Sequence, residues 1–407
     1  MEYTPSQEIL NKYADVVINF ALNGGEGIKE KETVFLMVPE SAKPLLITLQ
    51  VAALKSGAYP VVYFMPNEMQ RGFTELSRQY YELANEDQLN FFPEKYMKGL
   101  VDQADHLVGI LAEADKHDLE GIDSKKIMTR QKAFTAYKNW RFEKEDRGEL
   151  TWTLALYGTP AMADEVGMTL EEYWNEIIKA CYLEEPDPVQ KWREVMAEIS
   201  RVKNKLTELN IEKVKVKSEN TDLVVGLGEN RRWLGGSGRN IPSFEVFISP
   251  DWRMTEGHIY FNQPLYRYGN LIKDVRLEFK EGRVVKAEAK QGEQVLKDMI
   301  AVENADKIGE FSLTDGRLSH ITKFMAETLY DENAGGEYGN THLALGSAYK
   351  DSYPGDPSKP TKEQWDEWGF NDSVIHTDII STENRVVTAY LKDKSEKIIY
   401  RDGKFVI

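Results

Sequence analysis

The pattern of apolar and polar positions changes character about halfway along the chain. Ile9, Leu10, Tyr13, Ala14, Val17, Ile18 and Ala21 recur at helical spacing behind Ser6, a residue able to cap. That spacing predicts an amphipathic helix over 6–23, ended by Gly24-Gly25. Thr33-Val34-Phe35-Leu36-Met37-Val38-Pro39 is a near-continuous apolar run of the kind buried in a parallel sheet. A helical stretch from Ala42 to Ser56 follows, then the turn Gly57-Ala58-Tyr59-Pro60 and a strand over Val61-Val62-Tyr63-Phe64. Strand, helix and strand joined by short turns make a βαβ unit, whose handedness rule favours a layered α/β domain. Charge-rich helices are predicted near 68–84, 93–116 and 124–140, and a strand over 151–157. Further helices are predicted over Thr169–Cys181 and Val189–Leu209.

After about residue 211 short alternating runs replace helices, at 212–218, 221–226, 244–248, 258–261, 274–279, 283–290 and 385–391. The tail from Lys397 reads as a hairpin turning at Asp402-Gly403. The expected fold class is α/β: an N-terminal layered α/β domain over 1–190, then a mixed α+β catalytic domain of β-rich texture over 191–407. A length of 407 residues suits two domains.

Charge narrows the function classes. The formal net charge of −16 repels phosphate backbones and anionic lipid, so nucleic acid is a poor partner. The single cysteine, Cys181, can form no internal disulfide and no thiolate cluster, so any metal must be held by nitrogen and oxygen. The N-terminus carries no basic region, and no run approaches the roughly 18 apolar residues of a membrane span. The expectation is a cytoplasmic protein without membrane contact.

Candidate chemistry lies in the second half. In Val374-Ile375-His376-Thr377-Asp378-Ile379-Ile380 the apolar flanks predict a buried strand, and a spacing of two puts His376 and Asp378 on one face. Such a pair is expensive to bury unless a cation or a mutual hydrogen bond satisfies it. His342 and Tyr349 share a face if Thr341–Tyr349 is helical, and taken alone the pair reads first as a core histidine above a core tyrosine. Glu245 and Glu310 each stand among Val, Phe, Ile and Leu, an uncomfortable setting for a solvated acid. Two histidines and three carboxylates are enough for a two-metal site. No HExxH occurs, which excludes the common single-zinc protease helix.

These segments, in this order, resemble the metalloaminopeptidase family typified by aminopeptidase T, aminopeptidase S and PepS. The likeness runs through Tyr157-Gly158-Thr159-Pro160, Gly167-Met168-Thr169-Leu170-Glu171-Glu172-Tyr173, Asn240-Ile241-Pro242, Glu245-Val246-Phe247, Gly309-Glu310, Asp331-Glu332-Asn333, His342-Leu343-Ala344-Leu345-Gly346 and His376-Thr377-Asp378. It is dense from about 157 to 383. The resemblance implies metal ligands at Glu245, Glu310, His342, His376 and Asp378, an active-site tyrosine at Tyr349, and two divalent ions per subunit. Zinc or cobalt is expected, with manganese or magnesium also compatible. It implies removal of N-terminal residues from peptides by water activated between two metals, with Glu310 handling the proton, and a homodimer with enclosed sites. The stretch between Asp331 and His342 looks long, so a further carboxylate falls on Glu332 or on Glu337. The Tyr353-to-Trp368 segment looks like an elaboration able to lid or narrow the site.

Two rival functions remain: a binding protein of this family that has lost catalysis, and a dinucleotide-binding oxidoreductase suggested by Gly226-Leu227-Gly228. The third glycine of that fingerprint would fall at Arg231. His106, His117, His258 and His320 have no matched partner and read as ordinary. Arg231-Arg232 reads as a solvated loop rather than a carboxylate clamp, and the Tyr80-Tyr81 and Phe91-Phe92 pairs read as packing.

Overall fold

The structure, a computed structural model, describes residues 3–66 and 76–407. The chain separates into two compact units, one comprising the chain up to Met196 together with Ser237–Ser243, the other Ala197–Gly236 with Phe244–Ile407. The helix Pro188–Glu208 carries the chain from the first unit to the second.

The first unit is built on a parallel sheet. Its strands are β1 (Thr33–Pro39), β2 (Tyr59–Met65), β3 (His106–Leu111), β4 (Thr151–Leu156) and the two-residue β7 (Asn240–Ile241), in the order β2-β1-β3-β4-β7. The apolar run of β1 lies inside the sheet, with a strand on either side, and six of its seven residues are buried. The opening helix spans Gln7–Asn19, and the Ser6 hydroxyl accepts from the Ile9 amide. The helix Lys43–Lys55 crosses from β1 to β2, as the βαβ pattern predicts.

Two helix expectations need correction. The stretch 93–116 holds a helix only over Glu94–Gln103, after which Ala104-Asp105 ends it and β3 begins. Asp105 fastens that break, since its carboxylate accepts from the Thr33 amide at 2.7 Å. The stretch 124–140 is two helices, Ser124–Ala133 and Thr135–Asp146, parted at Phe134. Of the stretch 68–84, residues 68–75 lie outside the described residues, and Leu76–Leu83 is helical.

The second unit carries two antiparallel sheets. The larger comprises β5 (Ile211–Lys217), β6 (Asp222–Gly226), β9 (Thr255–Phe261), β12 (Val275–Lys280), β13 (Arg283–Glu288), β17 (Val386–Leu391), β18 (Glu396–Arg401) and β19 (Lys404–Phe405), ordered β13-β12-β9-β6-β5-β17-β18-β19. Val275, Leu277 and Phe279 of β12 are buried while Arg276, Glu278 and Lys280 are exposed, the alternation of a sheet wet on one side. A hairpin of β10 (Leu265–Arg267) and β11 (Asn270–Ile272) leaves the end of β9. The smaller sheet has the order β16-β15-β14-β8, from β8 (Glu245–Ile248), β14 (Ile308–Thr314), β15 (Asn340–Gly346) and β16 (His376–Ser381). Every residue of β8, β14 and β15 is buried, on both faces. The segment around His342 is therefore a strand and not a helix.

Gly226 ends β6 in the middle of the antiparallel sheet, and no α-helix follows it before β9, only the single 3-10 turn Trp252–Met254. A dinucleotide fingerprint needs a strand feeding a helix N-terminus, so this geometry removes that rival.

One backbone irregularity sits beside Glu310. The β14–β15 register slips between Ile308 and Glu310, which makes Gly309 the extra residue of a bulge. A Cβ there would lie 2.4 Å from the Ser347 carbonyl oxygen and 2.5 Å from that of Gly346. Gly309→Ala is therefore expected to lose about 1–3 kcal/mol of stability by overpacking. Thermal unfolding checks this, and a change within about 0.5 kcal/mol would show that the bulge tolerates a side chain.

Candidate metal centre

Strand register explains how residues far apart in sequence meet. Glu245 pairs with Thr314, Ser312 with His342, Glu310 with Ala344, Ala344 with Asp378, and Gly346 with His376. Paired residues share a face and side chains alternate along a strand. Glu245, Glu310, Ser312, His342, His376 and Asp378 therefore rise from one face of the smaller sheet. Val246, Phe311, Leu313, Leu343 and Ile379 rise from the other and are buried there.

Glu310 stands at the centre. Its Oε1 is 3.1 Å from His342 Nε2, and its Oε2 is 3.8 Å from His376 Nε2. Glu245 Oε2 lies 3.2 Å from His342 Nε2 and accepts from the Ser312 hydroxyl at 3.3 Å. Asp378 Oδ1 is 3.5 Å from His376 Nε2 and 3.9 Å from His342 Nε2. His376 Nδ1 lies 2.8 Å from the Ser347 carbonyl, which can only accept, so Nδ1 holds the proton and Nε2 turns to the carboxylates. Asn333, fully buried, fixes the entry to β8, since its Oδ1 accepts from the Phe244 amide at 2.6 Å and its Nδ2 donates to the Leu329 carbonyl.

The electrostatics are strained. Burial pushes Glu310 up to about 7, and Glu245 and Asp378 add to the push. Glu332 is buried and driven well above the usual carboxylate range, first by burial, then by Asp378 and Glu245. Burial opposes charge on both imidazoles, yet Glu245 and Glu310 hold His342 well above its ordinary value. Burial likewise opposes charge on His376, but Asp378 and Glu310 outweigh it and hold the ring up to about 9. Burial would raise Asp378 too, but His376 and His342 outweigh it and hold the carboxyl at about 2.

A cation fits this donor set. Glu245, Glu310 and His342 offer ligand atoms within 4.8 Å of one another, and so do Glu310, His376 and Asp378. Glu310 belongs to both groups. Four carboxylates, with Glu332 included, face two imidazoles, and nitrogen–oxygen sets of this kind suit zinc, cobalt, manganese and magnesium.

All five residues expected as ligands are thus gathered on this face. Tyr349 stands just beyond β15, its ring 5.1 Å from that of His376 and 5.7 Å from that of Phe247, with its amide donating to Ser249 Oγ. Of the two further carboxylates considered, Glu332 is buried within the field of the cluster and Glu337 is exposed. Two contributors, Ser312 and Asn333, are not expected as site residues from the sequence. The string Asp331-Glu332-Asn333 is the signal for the second; Ser312 is recoverable only by recognising β14 as a strand.

Other expectations change. His106 and His117 do have partners: His106 bonds Glu32 and Thr151, each at 2.8 Å, and His117 bonds Glu165 at 2.9 Å. Arg231 is not a solvated loop residue. It donates to the carbonyls of Ser249, Glu229 and Trp368 and covers the Phe370 ring at 3.5 Å, and burial pushes its guanidinium down to about 9. The segment after Tyr353 packs on its own rings, Tyr353 stacking on Trp368 at 5.0 Å and Trp365 meeting Phe370 at 4.7 Å. Tyr80 meets Tyr81 edge-on, and Phe92 packs on Phe134, while Phe91 is exposed.

Buried carboxylates and imidazoles grouped on an α/β fold mark the metal-dependent class of enzyme. The model of the thermophilic metalloprotease (M29) family matches residues 6–405, and the chain belongs to that family. It is a metallopeptidase, and so a hydrolase that uses a divalent metal. The chain is similar to aminopeptidase PepS of Streptococcus thermophilus, 28% identical over 429 residues and covering 98% of each chain. It is equally similar to aminopeptidase T of Thermus thermophilus, 28% identical over 424 residues with 98% of each chain covered. Among solved structures, wild-type AmpT from Thermus thermophilus superposes with a TM-score of 0.83 at 25% identity, covering 98% of this chain and 100% of that one. Among the described residues no helix is long and apolar enough to cross a membrane.

The raised groups set a pH dependence. Glu310 and His376 titrate at about 7 and about 9, above their ordinary 4.5 and 6.5. The metal-free fold is therefore favoured below the ordinary values and loses that stability as pH rises through about 7 and then about 9. Metal loading has the opposite sign, because each ligand must give up its proton. Titrating Zn²⁺ near neutral pH, in calorimetry buffers of differing ionisation enthalpy, should show roughly two to three protons released per loaded cluster, one from each imidazole and part of one from Glu310. Metal uptake without proton release would contradict this account of the cluster.

Proposed function

We propose that the cluster holds two divalent ions, one on Glu245, Glu310 and His342, the other on Glu310, His376 and Asp378, and that the chain is an aminopeptidase removing N-terminal residues from peptides. What supports the reading is that Glu310 is common to both ligand groups, together with the similarity to PepS and aminopeptidase T. Two such ions supply Lewis acidity, polarising a scissile carbonyl and lowering the pKa of water enough for attack at neutral pH.

The chain's own residues do the rest. Glu310 accepts the proton of the attacking water, which requires it within hydrogen-bond reach of that water. The Tyr349 hydroxyl donates to the oxygen on which charge develops. Ser347 holds His376 in the tautomer that presents Nε2. The surrounding carboxylates attract the ammonium group of a peptide N-terminus, a physical reason for exo- rather than endo-cleavage. The same reading takes zinc or cobalt as the ions, a homodimer as the working form, and the cytoplasm as the compartment, in keeping with a lone, buried Cys181.

Stripping the protein with chelator and restoring Zn²⁺ or Co²⁺ should abolish and then recover hydrolysis of aminoacyl chromogenic substrates; chelator-insensitive activity overturns the reading. Glu310→Gln should lower kcat about 10²–10⁴-fold with the fold retained by circular dichroism. Tyr349→Phe should lower kcat about 10²–10³-fold with little change in KM. Full turnover in either variant removes the role given to that residue.

A further inference from the structure

The parallel sheet of the first unit has an open edge. β2 lies at its margin, with β1 on one side and no strand on the other among the described residues. The Tyr59 amide donates to the Glu32 carbonyl at 2.8 Å, so Tyr59, Val61 and Tyr63 turn their backbone groups to β1. Pro60, Val62 and Phe64 turn theirs outward. Phe35 and Tyr63 pack with Leu100 on one face of the sheet. Leu100 belongs to the connection from β2 to β3, which runs opposite to that from β1 to β2. Right-handed crossovers therefore place the helix Lys43–Lys55 on the other face, the one to which Val62 and Phe64 point. The opening helix packs against Lys43–Lys55 and lies over β4, where Tyr13 bonds Leu156. The side that Lys43–Lys55 leaves open is thus the side toward β2.

That side is apolar although it is exposed. Ile47, Val51 and Leu54, spaced four and three apart, form a stripe opposite the buried Leu45, Leu49 and Ala52, and are 56%, 44% and 58% exposed. Val62 and Phe64 are each 42% exposed. A helix apolar on both sides belongs in an interior, and strands of a parallel sheet are ordinarily covered on both faces. An edge strand with outward amides and carbonyls is a template for a further strand, which proteins blunt with charge or a bulge. Tyr59–Met65 carries no charged side chain and runs along β1 without a register shift.

We propose that two copies of the chain meet here, the outer edges of β2 pairing antiparallel about a two-fold axis at Val62 to join two five-stranded sheets into one. Val62 then exchanges both its backbone hydrogen bonds with Val62 of the other copy. The Phe64 amide of each copy meets the Pro60 carbonyl of the other, so the one residue without an amide is asked only to accept. The axis stands normal to the sheet and brings the two Lys43–Lys55 helices to the same face, stripe beside stripe. Charge favours a second copy as the occupant. At a net charge of −16 two copies repel over most of their surface, but Leu45–Leu54 and β2 are free of charge, so like meets like without repulsion. Five half-exposed side chains of about 150–250 Å² supply on the order of 500 Å² per copy before the backbone is counted, against roughly 800 Å² in a standard interface. The proposal rests on the homodimer of the reading above and names its surface; it does not depend on peptidase activity.

Sedimentation of the full chain at about 1–100 µM tests it. Wild type should run as twice 46.7 kDa. Val51→Glu combined with Leu54→Glu places charge on the stripe and should weaken the dimer at least about a hundredfold. Val62→Pro removes an amide that β1 does not use, which an edge strand tolerates, and should weaken it comparably. Val285→Glu, at an exposed apolar position of β13, should leave the dimer intact. Circular dichroism checks that each variant is folded, and hydrogen exchange on wild type needs no variant at all: the Val62 and Phe64 amides should slow at least about tenfold across the same concentration range. A wild type that stays monomeric overturns the proposal and the homodimer with it. A dimer that persists in both β2-face variants, or is lost equally in Val285→Glu, overturns the surface and leaves the homodimer standing, and so does exchange at Val62 and Phe64 that ignores concentration. None of these readouts involves hydrolysis, so the peptidase reading stands or falls on its own assay.

Discussion

Three carboxylates are crowded onto a sheet face from which water is largely excluded, with Glu332 buried in their field, and the second unit is organised around that fact. Two unit charges about 4 Å apart interact by about 4 kcal/mol at the effective dielectric of a protein near its surface. Glu310 has ligand atoms within 4.8 Å of those of Glu245 and of Asp378, and acids at such spacing cannot all be ionised without compensation. The metal-free chain compensates with protons, on Glu310 and Glu332 and on both imidazoles. Divalent ions offer a different compensation at the same atoms. Protons and metals therefore compete for the same lone pairs, and the conflict of charge is what suits the face to cations where a poorly solvated patch would have no use for them.

Holding that conflict in place takes a scaffold that does not yield. β14 and β15 are buried at every position, so the smaller sheet is clamped from both sides. The bulge at Gly309 sets Glu310 between the two imidazoles, the Ser347 carbonyl orients His376, and Asn333 anchors the backbone just before Glu245. Each of these acts on a residue of the cluster through the backbone or a single hydrogen bond. None needs to touch substrate.

The first unit is largely legible in the sequence because its signals are local. Apolar runs of β1 and β4, the cap at Ser6 and the spacing of Leu45, Leu46 and Leu49 follow rules that need only a few neighbouring residues. The break at Ala104-Asp105 is hidden because neither residue is a glycine or proline, and the feature that ends the helix is a bond to distant Thr33. The smaller sheet is harder for a physical reason. Strands buried on both faces lose the alternation that marks a strand, so Thr341–Tyr349 carries no period to separate it from a helix. Its candidate ligands are readable as acids and histidines in apolar company, and the family likeness supplies their grouping. The choice between Glu332 and Glu337 turns on burial, which only the folded chain decides.

An acidic cluster has a direction. A peptide is itself a dipole of fixed sign, ammonium at one end and carboxylate at the other, and in a low-dielectric site orientation is selected before any side chain is read. Reversing the peptide would set its carboxylate against Glu310 and Asp378, a repulsive contact in place of an attractive one. Like-charge contact of that kind costs several kcal/mol, more than a hydrophobic side-chain pocket gains by admitting or excluding a methylene. On the proposed reading, polarity of the site accounts for end-selective cleavage without any steric wall. It leaves the neighbouring surfaces, Tyr349 and Phe247 among them, to discriminate between side chains.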